Sequence, residues 1–190
     1  MIIVGIDGGL AKLGLAVIDV DRAGTIAALG CDSFSSEPLA KKMQIELAHD
    51  FTRRARDLAK WLGERLDRFR PSIVALESLA GSKSSRSAVV MGIAHGVIVA
   101  ELERRSLPVV GTLPKVIRKH LHPSGTEDKA HDEAKTRCSG LLAALQHVPP
   151  SMVVHVLDAL CVALWGIETN VARAAMSNEN VPARPGTVWR

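Results

Sequence analysis

The chain has 190 residues, 47% of them hydrophobic and 23% charged, which is enough apolar material for one well-filled domain and too much for a disordered chain. Lys and Arg number 24 against 20 Asp and Glu, a net charge of +4 that suits solubility about as well as it suits a polyanionic partner. Aromatic residues are 3% with no Tyr, so the core is expected to be aliphatic; no apolar run reaches the ~20 residues of a membrane span, the first residues do not read as a secretory signal, and the scattered Cys31, Cys138 and Cys161 form no zinc or disulfide pattern, which fits a cytoplasmic setting.

Met1 to Ile6 is apolar at nearly every position and stops at Asp7-Gly8-Gly9, the pattern of a central strand covered on both faces. Leu13 to Val20 and Ile26 to Phe34 read as two further strands, and the short Asp21-Arg22-Ala23-Gly24 turn makes them a hairpin. From Leu39 to Phe69 the period changes: Met43, Leu47, Phe51, Ala55, Leu58, Leu62, Leu66 and Phe69 form one apolar stripe, predicting a long amphipathic helix that ends at Pro71. Ile73 to Glu77 is a short buried strand. Ser84 to Arg105 is strand-like in its β-branched content and helix-like in its length. Its Ala88, Gly92, Gly96 and Ala100 fall four apart, a small-residue stripe that either packs tightly on the sheet or meets a second subunit. Leu107 to Gly111 is a fifth strand, and Thr112-Leu113-Pro114 opens a short helix. Thr126 can cap a helix running to about Gln146, and Pro149-Pro150-Ser151 starts a last one over Met152 to about Ala174. Residues 1–174 then make a single domain, and 175–190 a loose polar tail. The expected architecture is α/β, three layers, with a mixed five-stranded sheet.

Three acids break the apolar pattern around them. Asp7 ends the first strand directly after Ile6, Glu77 ends the fourth directly after Leu76, and Asp158 interrupts the run from Val153 to Leu164. An ionised carboxylate in such surroundings is costly unless it is paired, hydrogen-bonded or bound to a metal. His155 lies three residues before Asp158, on the same helix face. Each of them singly has a plain structural explanation, a turn cap, an ion pair or a satisfied core histidine. Together, at two strand ends and on one helix face, they predict a site where divalent cations offset the repulsion between carboxylates. Oxygen ligands suit Mg²⁺ or Mn²⁺, and the imidazole adds tolerance for Mn²⁺.

The chain resembles the RuvC family of Holliday-junction resolvases, within the ribonuclease H-like superfamily, from Met1 to about Gly166. The resemblance rests on Ile3-Val4-Gly5-Ile6-Asp7-Gly8-Gly9-Leu10 with Gly14-Leu15-Ala16-Val17-Ile18. It continues in Val74-Ala75-Leu76-Glu77 with Lys83 and Gly92-Ile93-Ala94-His95-Gly96, then in Pro114-Lys115-Val116-Ile117-Arg118-Lys119 with Gly125 and Lys129. It closes with His155-Val156-Leu157-Asp158-Ala159-Leu160. It implies that Asp7, Glu77, His155 and Asp158 hold two Mg²⁺ per subunit, with Mn²⁺ accepted. It also implies that a homodimer, joined through the small-residue stripe, resolves four-way DNA junctions by paired nicks, leaving 5′-phosphate and 3′-hydroxyl ends. On that reading Lys129 approaches the scissile phosphate, Lys115, Arg118 and Lys119 hold the backbone without reading bases, and Lys83 and Arg86 touch the strand near the cut. A branch-migration motor is a candidate partner that the sequence does not identify. Two positions depart from the family: Gly8 stands where a proline is usual, and Ala80 where an aromatic residue often lies near the junction centre. Two other classes compete. A sugar-kinase or actin-like phosphotransferase shares the Gly-Ile-Asp-Gly-Gly opening, and a non-catalytic DNA-binding module would explain the basic segments but not the three acids.

Overall fold

The computed structural model describes residues 1–39, 46–78 and 84–169. Five strands, β1 (Ile2–Gly8), β2 (Lys12–Val20), β3 (Ile26–Ser35), β4 (Ile73–Glu77) and β5 (Val109–Thr112), form one sheet in the order β3-β2-β1-β4-β5. β1 to β3 pair antiparallel, while β4 and β5 run parallel to β1. The β2–β3 hairpin closes where expected: Asp21 Oδ1 accepts from the Ala23 and Thr25 amides, both at 2.8 Å. The helices are α1 (Leu47–Phe69), α2 (Ser85–Arg104), α3 (Pro114–Leu121), α4 (Glu127–Arg137), α5 (Leu141–Leu145) and α6 (Val153–Ile167), the last preceded by a 3₁₀ turn at Pro150–Met152.

Strand alternation divides the core into two halves, one on each face of the sheet. Ile3, Ala16, Ile18, Ile73 and Ala75 point toward α3 to α6. Val4, Ile6, Leu15, Val17, Val74 and Leu76 point the other way, onto Leu58, Leu62 and Leu66 of α1 and Ala94, Ile98 and Leu102 of α2. The fully buried Val, Leu and Ile side chains among them each contribute roughly 1.5–3 kcal/mol. The three-layer α/β expectation holds. The small-residue segment is a helix, and its stripe is not packed on the sheet: Ala88, Gly92, Gly96 and Ala100 are all exposed. By length and composition alone, Ser85–Arg104 and Pro150–Ile167 could each cross a membrane. The second is the helix seated on the sheet, and the first lends its apolar face to the core.

Three helix boundaries differ from expectation. α1 starts at Leu47 rather than Leu39, because Leu39 folds back so that its amide donates to Asp50 Oδ1 at 3.3 Å; Met43 lies outside the described residues. The helix expected over 126–146 is two helices. Its break at Ser139 is made by pairing with the β3 edge, where the Ala28 amide donates to the Ser139 carbonyl at 2.8 Å and Gly140 turns at φ 72. α6 ends at Ile167, with the Thr169 hydroxyl donating to the Gly166 carbonyl at 2.8 Å; residues 170–190, including the end of the helix expected to reach Ala174 and the expected tail, lie outside the described part.

Candidate metal centre

Parity along the strands places the two strand-end acids side by side. Ile6 and Leu76 are register partners in the parallel β1–β4 pair, and both point toward α1 and α2. The next residue on each strand, Asp7 and Glu77, therefore turns toward the opposite face, the one that α6 covers. α6 can lie that close only because the strands offer no side chain beneath it. A Cβ on Gly5 would sit 1.9 Å from the Ala159 carbonyl oxygen, and one on Gly14 would sit 2.1 Å from that of His155. Gly14 is also the antiparallel partner of Asp7. The same packing that seats α6 thus brings His155 beside the first acid.

The His155 Nδ1–H donates to Asp7 Oδ2 at 3.2 Å. Bonding to that carboxylate raises the His155 pKa, assisted by the charges of Asp7 and Asp158 and opposed by burial and by Lys12. Glu77 is pushed up to about 8, first by burial, then by the Asp7 charge, by hydrogen bonding to Asp7 and by the Asp158 charge; Arg118 pulls the other way. These acids act on one another as members of one cluster. Asp7, Glu77 and His155 open onto a cavity of about 570 Å³, lined also by Gly8, Gly9, Lys12, Ser78, Arg86 and Ser87. Asp158 is half-buried behind that lining, where its Oδ1 accepts from His131 Nε2 at 2.9 Å.

The basic residues are distributed less evenly. Arg86 lines the cavity near the start of α2. Lys115 and Lys119 are exposed on α3, and Lys129 is exposed in the first turns of α4. Arg118 is half-buried and ion-paired to Glu127 at 3.0 Å, so it differs from its two neighbours in being tied down. Lys83 and Ala80 lie outside the described residues. Two cavity or cluster residues escaped the sequence reading. Lys12 sits at the mouth of the β1–β2 turn, two residues before Gly14, and the strand period alone puts it on the acid face. His131 follows Glu127 by one helical turn and shares a face with Ala130 and Ala134, a signal hidden inside an otherwise polar helix.

The donor set fits divalent cations. Asp7, Glu77 and His155 meet at the cavity, whereas Asp158 is turned to His131, whose nitrogen lies with a Glu127 oxygen and an Asp158 oxygen within 4.8 Å of one another; the half-buried carboxyl of Glu77 resists ionisation beside the Asp7 charge, a penalty that a bound cation relieves.

Comparison with known proteins gives a consistent picture. The family model described as crossover junction endodeoxyribonuclease RuvC matches residues 3–165. A protein of that name from Paenarthrobacter aurescens (strain TC1) is 27% identical over 188 residues, covering 96% of this chain and 90% of the relative. Another from Xanthomonas axonopodis pv. citri (strain 306) is 32% identical over 127 residues, covering 67% and 68%. T. thermophilus RuvC, solved in complex with a Holliday junction substrate, superposes with a TM-score of 0.68 at 22% identity over 95% of this chain and 97% of that one, a likeness of fold.

Proposed function

The chain belongs to the RuvC family of crossover junction endodeoxyribonucleases, and from that premise we propose that it resolves four-way DNA junctions by metal-dependent hydrolysis of paired phosphodiesters. The observation that carries this reading is the pairing of Asp7 and Glu77 at adjoining strand ends, where burial and the neighbouring carboxylate raise the Glu77 pKa to about 8 beside an open cavity.

Asp7, Glu77, His155 and Asp158 are the proposed ligands, holding two Mg²⁺ per subunit with Mn²⁺ accepted. Bound there, such cations supply the positive charge that activates a water and steadies the departing oxygen of an in-line displacement, leaving 5′-phosphate and 3′-hydroxyl ends. The remaining work falls to the chain's own side chains. Asp7 is kept in place by the His155 Nδ1–H. Arg86 and Lys12, on the cavity rim, give phosphate oxygens charged donors. Lys129, exposed near the start of α4, offers a further cation to the scissile phosphate. Lys115 and Lys119 hold the backbone of a flanking arm.

The protein acts as a homodimer on this reading, since two cuts need two sites. The supporting feature is the outer face of α2, where Ala88, Gly92, Gly96 and Ala100 are exposed together with Val89, 55% accessible. A non-catalytic DNA-binding module would give the basic residues a use and leave the acid cluster without one.

Asp7→Asn tests the assignment. A synthetic four-way junction incubated with this variant in Mg²⁺ is expected to stay intact, while gel-shift affinity for the junction survives. Nicking at the wild-type rate would sink the metal assignment.

A further inference from the structure

We infer that His131 is a positioning residue for the metal centre: it holds one oxygen of Asp158 and thereby fixes how the other is offered to a cation. The inference rests on the metal reading above and extends it to a residue that lines no part of the catalytic cavity.

The geometry begins with how α4 meets α6. The face that α4 presents to the core carries Ala130, His131 and Ala134, all buried. Two alanines let the helices approach closely enough for the Cys161 thiol to reach the Ala130 carbonyl at 3.7 Å. Between them the His131 side chain, 8% exposed, reaches across to Asp158, 27 residues away, at 2.9 Å. A carboxylate oxygen only accepts, so the His131 Nε2 carries the hydrogen in this bond. That nitrogen is thus committed to Asp158.

Glu127 lies one turn before His131 and would compete for the same ring. Its ligand oxygen, the His131 nitrogen and an Asp158 oxygen all lie within 4.8 Å of one another. Arg118 engages Glu127 at 3.0 Å and offsets its charge, which leaves the imidazole to Asp158. The arrangement is a buried donor bonded to one oxygen of a proposed metal ligand, with an ion pair screening the donor from the wrong acid. Without it Asp158, half-buried behind the cavity lining, has free side-chain torsions to lose on binding. Outer partners of this kind typically contribute 10–100-fold in metal affinity.

The test compares full-length wild type with His131→Phe, which keeps a ring in the buried space and removes the donor, and His131→Gln, which keeps a donor. Mn²⁺ binding is titrated by electron paramagnetic resonance without DNA, and nicking is followed across a Mg²⁺ series. His131→Phe is expected to bind Mn²⁺ about 10–100-fold more weakly and to need correspondingly more Mg²⁺, with its rate at saturating Mg²⁺ close to wild type. His131→Gln is expected to recover most of the loss. Unchanged Mn²⁺ affinity in His131→Phe overturns the inference. So does a nitrogen coupling to bound Mn²⁺ that disappears in the His131 variants but persists in His155→Asn, since His131 would then be a direct ligand, with Glu127 and Asp158 as its companions. Asp7→Asn run alongside separates the two failures: wild-type Mn²⁺ binding in that variant removes the metal reading itself, whatever His131 does.

Discussion

Metal binding at this site should be linked to protons, and the size of the linkage follows from Glu77. Its carboxyl is raised to about 8 in the metal-free protein, chiefly by burial and next by the adjacent Asp7 charge. At pH 7 the neutral form then exceeds the ionised one about tenfold, and at pH 6 about a hundredfold. A cation bound by the Glu77 oxygen must displace that proton. Apparent affinity for Mg²⁺ or Mn²⁺ should therefore rise about 50-fold from pH 6 to pH 8, and less than about twofold beyond. His155, also raised by its bond to Asp7, adds a second proton to the release if it ligates the metal, so the slope can only steepen. Calorimetric titration of the DNA-free protein in buffers of different ionisation enthalpy reads both the affinity and the protons released. The metal-free protein should show the opposite trend. A carboxyl raised on folding contributes stability that is complete below its ordinary value of 4.5 and is lost as pH climbs through about 8. Melting in EDTA should accordingly fall across that window, and Glu77→Gln should shallow the fall, leaving the share due to His155. Metal affinity that is flat between pH 6 and 8, with no proton released, would refute the argument that Glu77 is a half-buried ligand under the influence of Asp7.

Lys115→Ala combined with Lys119→Ala should weaken junction binding equally for all arm sequences and reduce the slope of log affinity against log salt by about 0.9 for each phosphate that is no longer neutralised; an unchanged slope removes α3 from the DNA face. If the proposed homodimer forms through α2, Gly96→Glu should leave a monomer in analytical ultracentrifugation, with a native circular dichroism spectrum and a melting temperature lowered only by the lost subunit contact. The position is exposed, a Cβ there meets nothing within 4 Å, and Glu is the better helix former. A dimer that persists in that variant would take the outer face of α2 out of the interface.

The strand-end acids were legible in the sequence because a charge directly after an apolar run is locally anomalous, and no tertiary knowledge is needed to see it. The pairing of Asp7 with Glu77 was legible only as an expectation about strand tips. What places them together is the Ile6–Leu76 register, which no local pattern encodes. The glycines at 5 and 14 were visible as a motif, but their reason is the backbone of α6 lying against them, an approach that exists only once the helix docks. Distant partners also account for the shifted boundaries. The break at Ser139 comes from the β3 edge taking its backbone bonds, and the late start of α1 from Leu39 turning back to Asp50.

His131 marks the point where reading by pattern stops. A histidine beside alanines on a polar helix has the same appearance whether it faces water or a carboxylate on another element. Its partner lies on α6, and α6 is held in place by glycines on β1 and β2. The reach from His131 to Asp158 therefore depends on residues more than a hundred positions away having no side chain. By the same physics, the two strand-end acids that the sequence exposes most readily line the cavity, whereas the histidines bonded to Asp7 and Asp158 are brought there by packing made by the fold.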